Sequence, residues 1–143
     1  MDLENANLMK KNTRRGLATV EAAILFPLLI LFLLAMVEYG WCFLKYQCIN
    51  SAAREGVRVA VRDGATDTQW QAAVTSIMTG CGKRGTTPTY TVTLSPGVGS
   101  ATGTQLTCTI TVLYPQLNIT NAPSIFPTPA SLTARATMAK EGP

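Results

Sequence analysis

The feature that most constrains this chain is an apolar run from Leu17 to Val37, LATVEAAILFPLLILFLLAMV. Its 21 residues, at about 1.5 Å of rise each, make roughly 31 Å of helix, close to the apolar thickness of a bilayer. Only Glu21 is charged within it. A cleaved secretory signal has a shorter apolar core and a small-residue exit site, and Ala35-Met36-Val37 does not supply the small-x-small pattern. Few soluble cores need so long a nearly uninterrupted apolar run. The run therefore reads as a single membrane-spanning helix.

Charge placement orients it. Of the net charge of +4, four basic residues, Lys10, Lys11, Arg14 and Arg15, stand just before the run. By the positive-inside rule they predict a cytoplasmic N-terminus. Tyr39, Trp41 and Tyr46 follow the run and suit the opposite interface. The remaining basic residues form no face interleaved with aromatics, so no nucleic-acid partner is expected. Pro27 lies inside the run and predicts a local kink or loosened turn, which membrane helices tolerate.

The chain has no histidine, and its eight acids leave Thr68 to Lys140 without a carboxylate. General acid–base chemistry and activated nucleophiles need such groups. Hard cations want clustered oxygens, and zinc wants a ligand spacing that is missing here. The expectation is a non-enzymatic chain with no cofactor and no metal.

Beyond the run no breaker interrupts the helical pattern until Asp63-Gly64, where glycine can take a left-handed cap. A continuous helix from Leu17 to Arg62 has 46 residues and is about 69 Å long. Ile49, Ala52, Ala53, Val57 and Ala60 form its apolar stripe, with Arg54, Glu55, Arg58 and Arg62 mostly offset. Glu55 can pair with Arg58 three residues on. The small residues of the stripe suit packing on the chain's own domain or on another subunit equally.

A short helix follows from Trp70 to Met78, and then three alternating segments read as strands. Tyr90, Val92 and Leu94 alternate with threonines; so do Leu106, Cys108, Ile110 and Val112; Leu132, Ala134, Ala136 and Met138 alternate with Thr133, Arg135 and Thr137. Pro123 to Pro129 reads as a loop. The apolar faces need a helix over them, so the expected fold is α+β, an antiparallel sheet packed on the C-terminal half of the long helix. The expected organisation is a leader (1–16), a transmembrane helix (17–38), its extracytoplasmic continuation (39–64) and a small α+β domain (65–143). A thin core of this kind gains from a disulfide. Cys81 with Cys108 is the expected pair and Cys48 the competing partner; Cys42 is expected to stay a small apolar residue. Asn118-Ile119-Thr120 fits a glycosylation acceptor, a short motif that recurs by chance.

Glu21 is the residue that a simple anchor explains least, because a carboxylate inside hydrocarbon is costly. Gly16-Leu17-Ala18-Thr19-Val20-Glu21, after Arg14-Arg15 and before an apolar helix, resembles a type IV prepilin processing site. The stretch RRGLATVEAAILFPLLILFLLAMVEYG, then Gln47 to Asn50 and SAAREGVRVA, is similar to the TadE-like family, pseudopilins of the tight-adherence (Tad/Flp) pilus apparatus. The resemblance covers roughly residues 14 to 62. It implies a cut by a prepilin peptidase between Gly16 and Leu17, leaving 143 − 16 = 127 residues. It also implies that Glu21, fifth in the mature chain, pairs with a neighbouring subunit's N-terminal amine.

The resulting expectation is a pseudopilin in the bacterial inner membrane, with a periplasmic or extracytoplasmic C-terminal domain. Its partners would be other pilin-like subunits and Tad assembly proteins. The competing expectation is an unprocessed, membrane-tethered binding module.

Overall fold

A computed structural model describes residues 3–117 and 129–142, without the side chains of residues 3–17 and Arg84. Helix α1 spans Leu3–Ala60, α2 Asp67–Met78, and strands β1 (Tyr90–Ser95), β2 (Gln105–Leu113) and β3 (Ser131–Ala139) follow. The fold is α+β, as the patterning predicted. The chain divides into two compact units, Met1–Val37 and Glu38–Pro143.

The first unit is wholly helical over its described residues, and Pro27 lies inside α1 without ending it. Its side chains from Ala18 to Leu34 are exposed, including Ile24, Phe26 and Leu28. This is the one helix among the described residues long and apolar enough to cross a membrane.

In the second unit, β1, β2 and β3 form an antiparallel sheet in that order. Period-two patterning sets the faces. Leu106, Cys108, Ile110 and Val112 of β2 and Leu132 and Ala134 of β3 point into the core, while Val92 and Leu94 of β1 are half-buried beside it. The α1 stripe Ile49, Ala52, Ala53, Val57 and Ala60 and the α2 side chains Trp70, Val74 and Met78 complete the core. On the outward face, threonine hydroxyls pair across strands, Thr107 with Thr137 at 2.8 Å and Thr111 with Thr133 at 3.0 Å. Such cross-strand pairs stabilise one register over its neighbours.

Two ends differ from the sequence expectation. α2 starts at Asp67, three residues before Trp70, because the Gln69 carboxamide accepts the Thr66 N–H at 3.1 Å and Asp67 accepts the Trp70 indole N–H at 2.9 Å. These contacts satisfy donors that the periodicity cannot see. α1 ends at Ala60 rather than Arg62, and Gly64 takes φ +68° in the turn that follows. Its closing carbonyls are claimed by the chain's own C-terminal segment: Glu141 N–H donates to Val61 O at 2.9 Å and Lys140 Nζ to Arg62 O at 3.0 Å. The expected loop from Pro123 to Pro129, except Pro129, and the Asn118-Ile119-Thr120 motif lie outside the described residues.

Candidate functional site

The sequence places its functional signals on α1. Gly16 and Leu17 fall within that helix, but the Leu17 side chain, and the processing reaction expected between the two residues, lie outside what the structure describes. Glu21 is exposed on α1, and among the described residues no cation pairs with it.

The first turns of α1 in the second unit carry a polar clamp that sequence reasoning missed. Glu38, Trp41, Lys45 and Cys48 recur at steps of three and four, so they share one helix face. Glu38 Oε1 accepts the Tyr114 hydroxyl at 2.8 Å. Trp41 Nε1 donates to the Leu117 carbonyl at 2.6 Å. Lys45, only 5% exposed, donates from Nζ to the Gly82 carbonyl at 2.9 Å, and its Nζ stands 4.6 Å from the Trp41 ring centroid. Cys48 is bonded to Cys81. Four consecutive contacts thus tie one face of α1 to the turn after β2 and to the loop after α2.

Burial sets the electrostatics of the clamp. Desolvation lowers the Lys45 pKa, and the carbonyl and the indole face are the groups that hold the charge there. Burial raises the Tyr114 pKa, and its hydrogen bond to Glu38 adds to the rise. Burial also raises the Cys42 pKa, against the opposing hydrogen bond from Tyr114. The recurrence of Glu38, Trp41 and Lys45 on one face was the available sequence signal. The aromatic residue's position after the apolar run explained it equally well as an interface anchor.

The expected Cys81–Cys108 disulfide is corrected. Cys81 pairs with Cys48, their Cα atoms 5.9 Å apart, and Cys108 is a buried free thiol. The reason is the sheet's pleat. Cys108 faces α1 at Gly56, where a Cβ would lie 3.3 Å from its sulfur, whereas Cys81 closes α2 one turn past Ile77 and meets α1 at Cys48. Burial pushes the Cys108 thiol up to about 11.

The AAREGVR segment resolves into two faces. Ala52, Ala53, Gly56 and Val57 are buried against the chain's own α2 and sheet. At Gly56 an added Cβ would stand 2.5 Å from Val74 Cγ2. The small-residue stripe is therefore occupied by this domain and is closed to a second subunit. On the opposite side Glu55 accepts from Arg58 Nε at 2.8 Å and Nη2 at 2.6 Å, and Arg58, then Arg62, hold its carboxyl below the ordinary range. Among the described residues no three of His, Cys, Asp and Glu converge as a metal would require.

Against this geometry, residues 16–58 match the family model described as TadE-like protein. The match runs from the glycine before the apolar run, through Glu21 and the clamp, to Arg58. No curated protein and no solved structure matches the chain significantly.

Proposed function

Proceeding from the TadE-like character of residues 16–58, we propose that this chain is a pseudopilin, a non-enzymatic, membrane-anchored component of a Tad/Flp-type pilus or a related secretion apparatus. The observation that carries the reading is the coincidence of the TadE-like match with an exposed apolar helix bearing a carboxylate, Glu21, that pairs with no cation among the described residues. That carboxylate is costly in hydrocarbon and is offset by a cation from a neighbouring subunit. After cleavage by a prepilin peptidase between Gly16 and Leu17, the new amine of an adjacent chain is that cation.

The proposed topology is single-pass in the bacterial inner membrane with the C-terminal unit outside the cytoplasm. Lys10, Lys11, Arg14 and Arg15 before the run support the cytoplasmic N-terminus. The Cys48–Cys81 disulfide supports an oxidising compartment for the outer unit. Other pilin-like subunits and Tad assembly proteins are the proposed partners.

The deciding experiment is mass spectrometry of the mature N-terminus after expression with the peptidase. A chain beginning at Leu17, lost on Gly16→Asp substitution, is expected. An intact Met1 terminus, or a cut elsewhere, overturns the processing step and favours the tethered binding module.

A further inference from the structure

The AAREGVR segment spends one face on its own domain and leaves the other to solvent. Arg54 and Arg58 are exposed four residues apart on α1, and Arg62 follows after four more, in the turn that closes the helix. Like charges at this spacing oppose one another in the isolated chain. Glu55 answers only part of that repulsion. Its bidentate pair with Arg58 is the one ion pair among the described residues; Glu55 reaches Arg62 only through the longer-range field, and Arg54 and Arg62 form no ion pair there. At its far end the row meets a recess of about 340 Å³ lined by Val59, Arg62, Asp63, Gly64, Ala65 and Gln69.

We propose that this arginine row, with the recess at its end, is a docking surface for carboxylate side chains on a different pilin-like subunit. The proposal rests on the pseudopilin reading and adds to it the surface used and the chemistry of the partner. Guanidinium groups accept carboxylates in pairs of parallel hydrogen bonds, and a partner's acids would relieve the repulsion along the row.

Charge accounting argues against a second copy as the occupant. From Glu38 onward the chain carries eight basic residues, Lys45, Arg54, Arg58, Arg62, Lys83, Arg84, Arg135 and Lys140, against five acids. Those acids are committed or local to the row. Glu38 accepts from Tyr114, Asp67 from the Trp70 indole, and Glu55 from Arg58. Asp63 lines the recess, and Glu141 is joined through its backbone to Val61 beside it. A copy would bring mainly further positive charge.

The test places a photo-crosslinking side chain at Ser51, exposed seven residues before Arg58 on the same face, in the full chain. It is expressed in membranes with the other pilin-like subunits of its assembly. The expected product joins position 51 to a different subunit. Its yield should fall about tenfold or more in the double variant Arg54→Glu/Arg58→Glu, because like charge across a contact is strongly unfavourable. It should persist in Arg54→Lys/Arg58→Lys and weaken in about 1 M salt, where screening acts within roughly 3 Å. Formation of the Cys48–Cys81 bond reports that each variant folds; if the glutamate pair fails this check, Arg54→Gln/Arg58→Gln is read instead.

Products formed only with a second copy or with lipid, unchanged yield on charge reversal, or no product at all overturns the docking surface. The N-terminus is measured on the same samples. A chain processed at Leu17 but silent at position 51 sinks this surface alone; an unprocessed chain that still crosslinks supports the surface and sinks the processing step.

Discussion

The Tyr114 hydroxyl donates to Glu38 Oε1 at 2.8 Å across 76 positions of sequence, joining the turn after β2 to α1. Tyr114→Phe leaves a half-buried carboxylate without this donor. We expect a loss of about 1–3 kcal/mol, the range for a hydrogen bond to a charged group and its desolvation. Thermal unfolding of the full chain in detergent measures it. Spectrophotometric titration gives a second readout: one phenol of the parent protein ionises above the ordinary tyrosine range, because burial first and Glu38 second raise it, and that late step disappears in the variant.

Gly56→Ala should destabilise the outer unit. The new methyl meets Val74 Cγ2 at 2.5 Å and the Cys108 sulfur at 3.3 Å, and overpacking of this kind costs about 1–3 kcal/mol. Adding Val74→Ala should recover part of the loss in the same unfolding assay. A single variant as stable as the parent would contradict the close approach of α1 to α2.

The crosslink between Cys48 and Cys81 closes a loop of 33 positions. Reduction, or Cys48→Ser, should lower stability by about 2–4 kcal/mol on loop-entropy grounds. Peptide mapping under non-reducing conditions should find the same pair intact in Cys108→Ala. Loss of the crosslink in that variant would restore the Cys81–Cys108 assignment.

Cys108 makes stability fall at alkaline pH. Its folded pKa is raised to about 11 from 9.0, so the unfolded chain releases this proton first. The contribution is complete below about pH 9 and is lost as pH rises to about 11, up to roughly 2–3 kcal/mol. Cys108→Ala should flatten that part of the stability profile. Below pH 9 the native thiol should also resist alkylation, because burial both shields it and keeps it protonated.

Lys45 has the opposite sign. Its folded pKa is lowered by desolvation from 10.5, so the unfolded chain holds the proton longer. Stability due to this group therefore rises with pH, from the lowered folded value up to the ordinary lysine range. The parent protein should gain on Lys45→Met across that interval. Parallel unfolding curves for the two proteins through alkaline pH would refute a buried, desolvated ammonium.

Much of the fold could be read from local pattern. Alternation located β1, β2 and β3 and assigned their inward faces because a strand's side chains change face at every residue. The 3.6-residue stripe from Ile49 to Ala60 identified the helix face that the sheet covers. The clamp was less legible. Glu38 and Tyr114, or Lys45 and Gly82, meet only because the loop after α2 and the turn after β2 return to one face of α1. No local period records a contact between segments so far apart. The start of α2 was misplaced for a related reason, since capping by Gln69 and the Asp67–Trp70 bond extend the helix past its apolar pattern.

By itself, the sequence determined an apolar helix with one acidic residue, a TadE-like stretch, and an antiparallel sheet with a threonine face. Bilayer thickness, helix period and strand pleat are local constraints, and a short window of residues suffices to meet each. Tertiary structure decided which cysteine Cys81 reaches, how Lys45 is buried, and which face of AAREGVR stays open. Those outcomes depend on packing between elements distant in sequence. Once Gly56 is pressed against Val74 and Cys108, the small residues of AAREGVR are covered, and Arg54 and Arg58 are the side chains this segment leaves exposed.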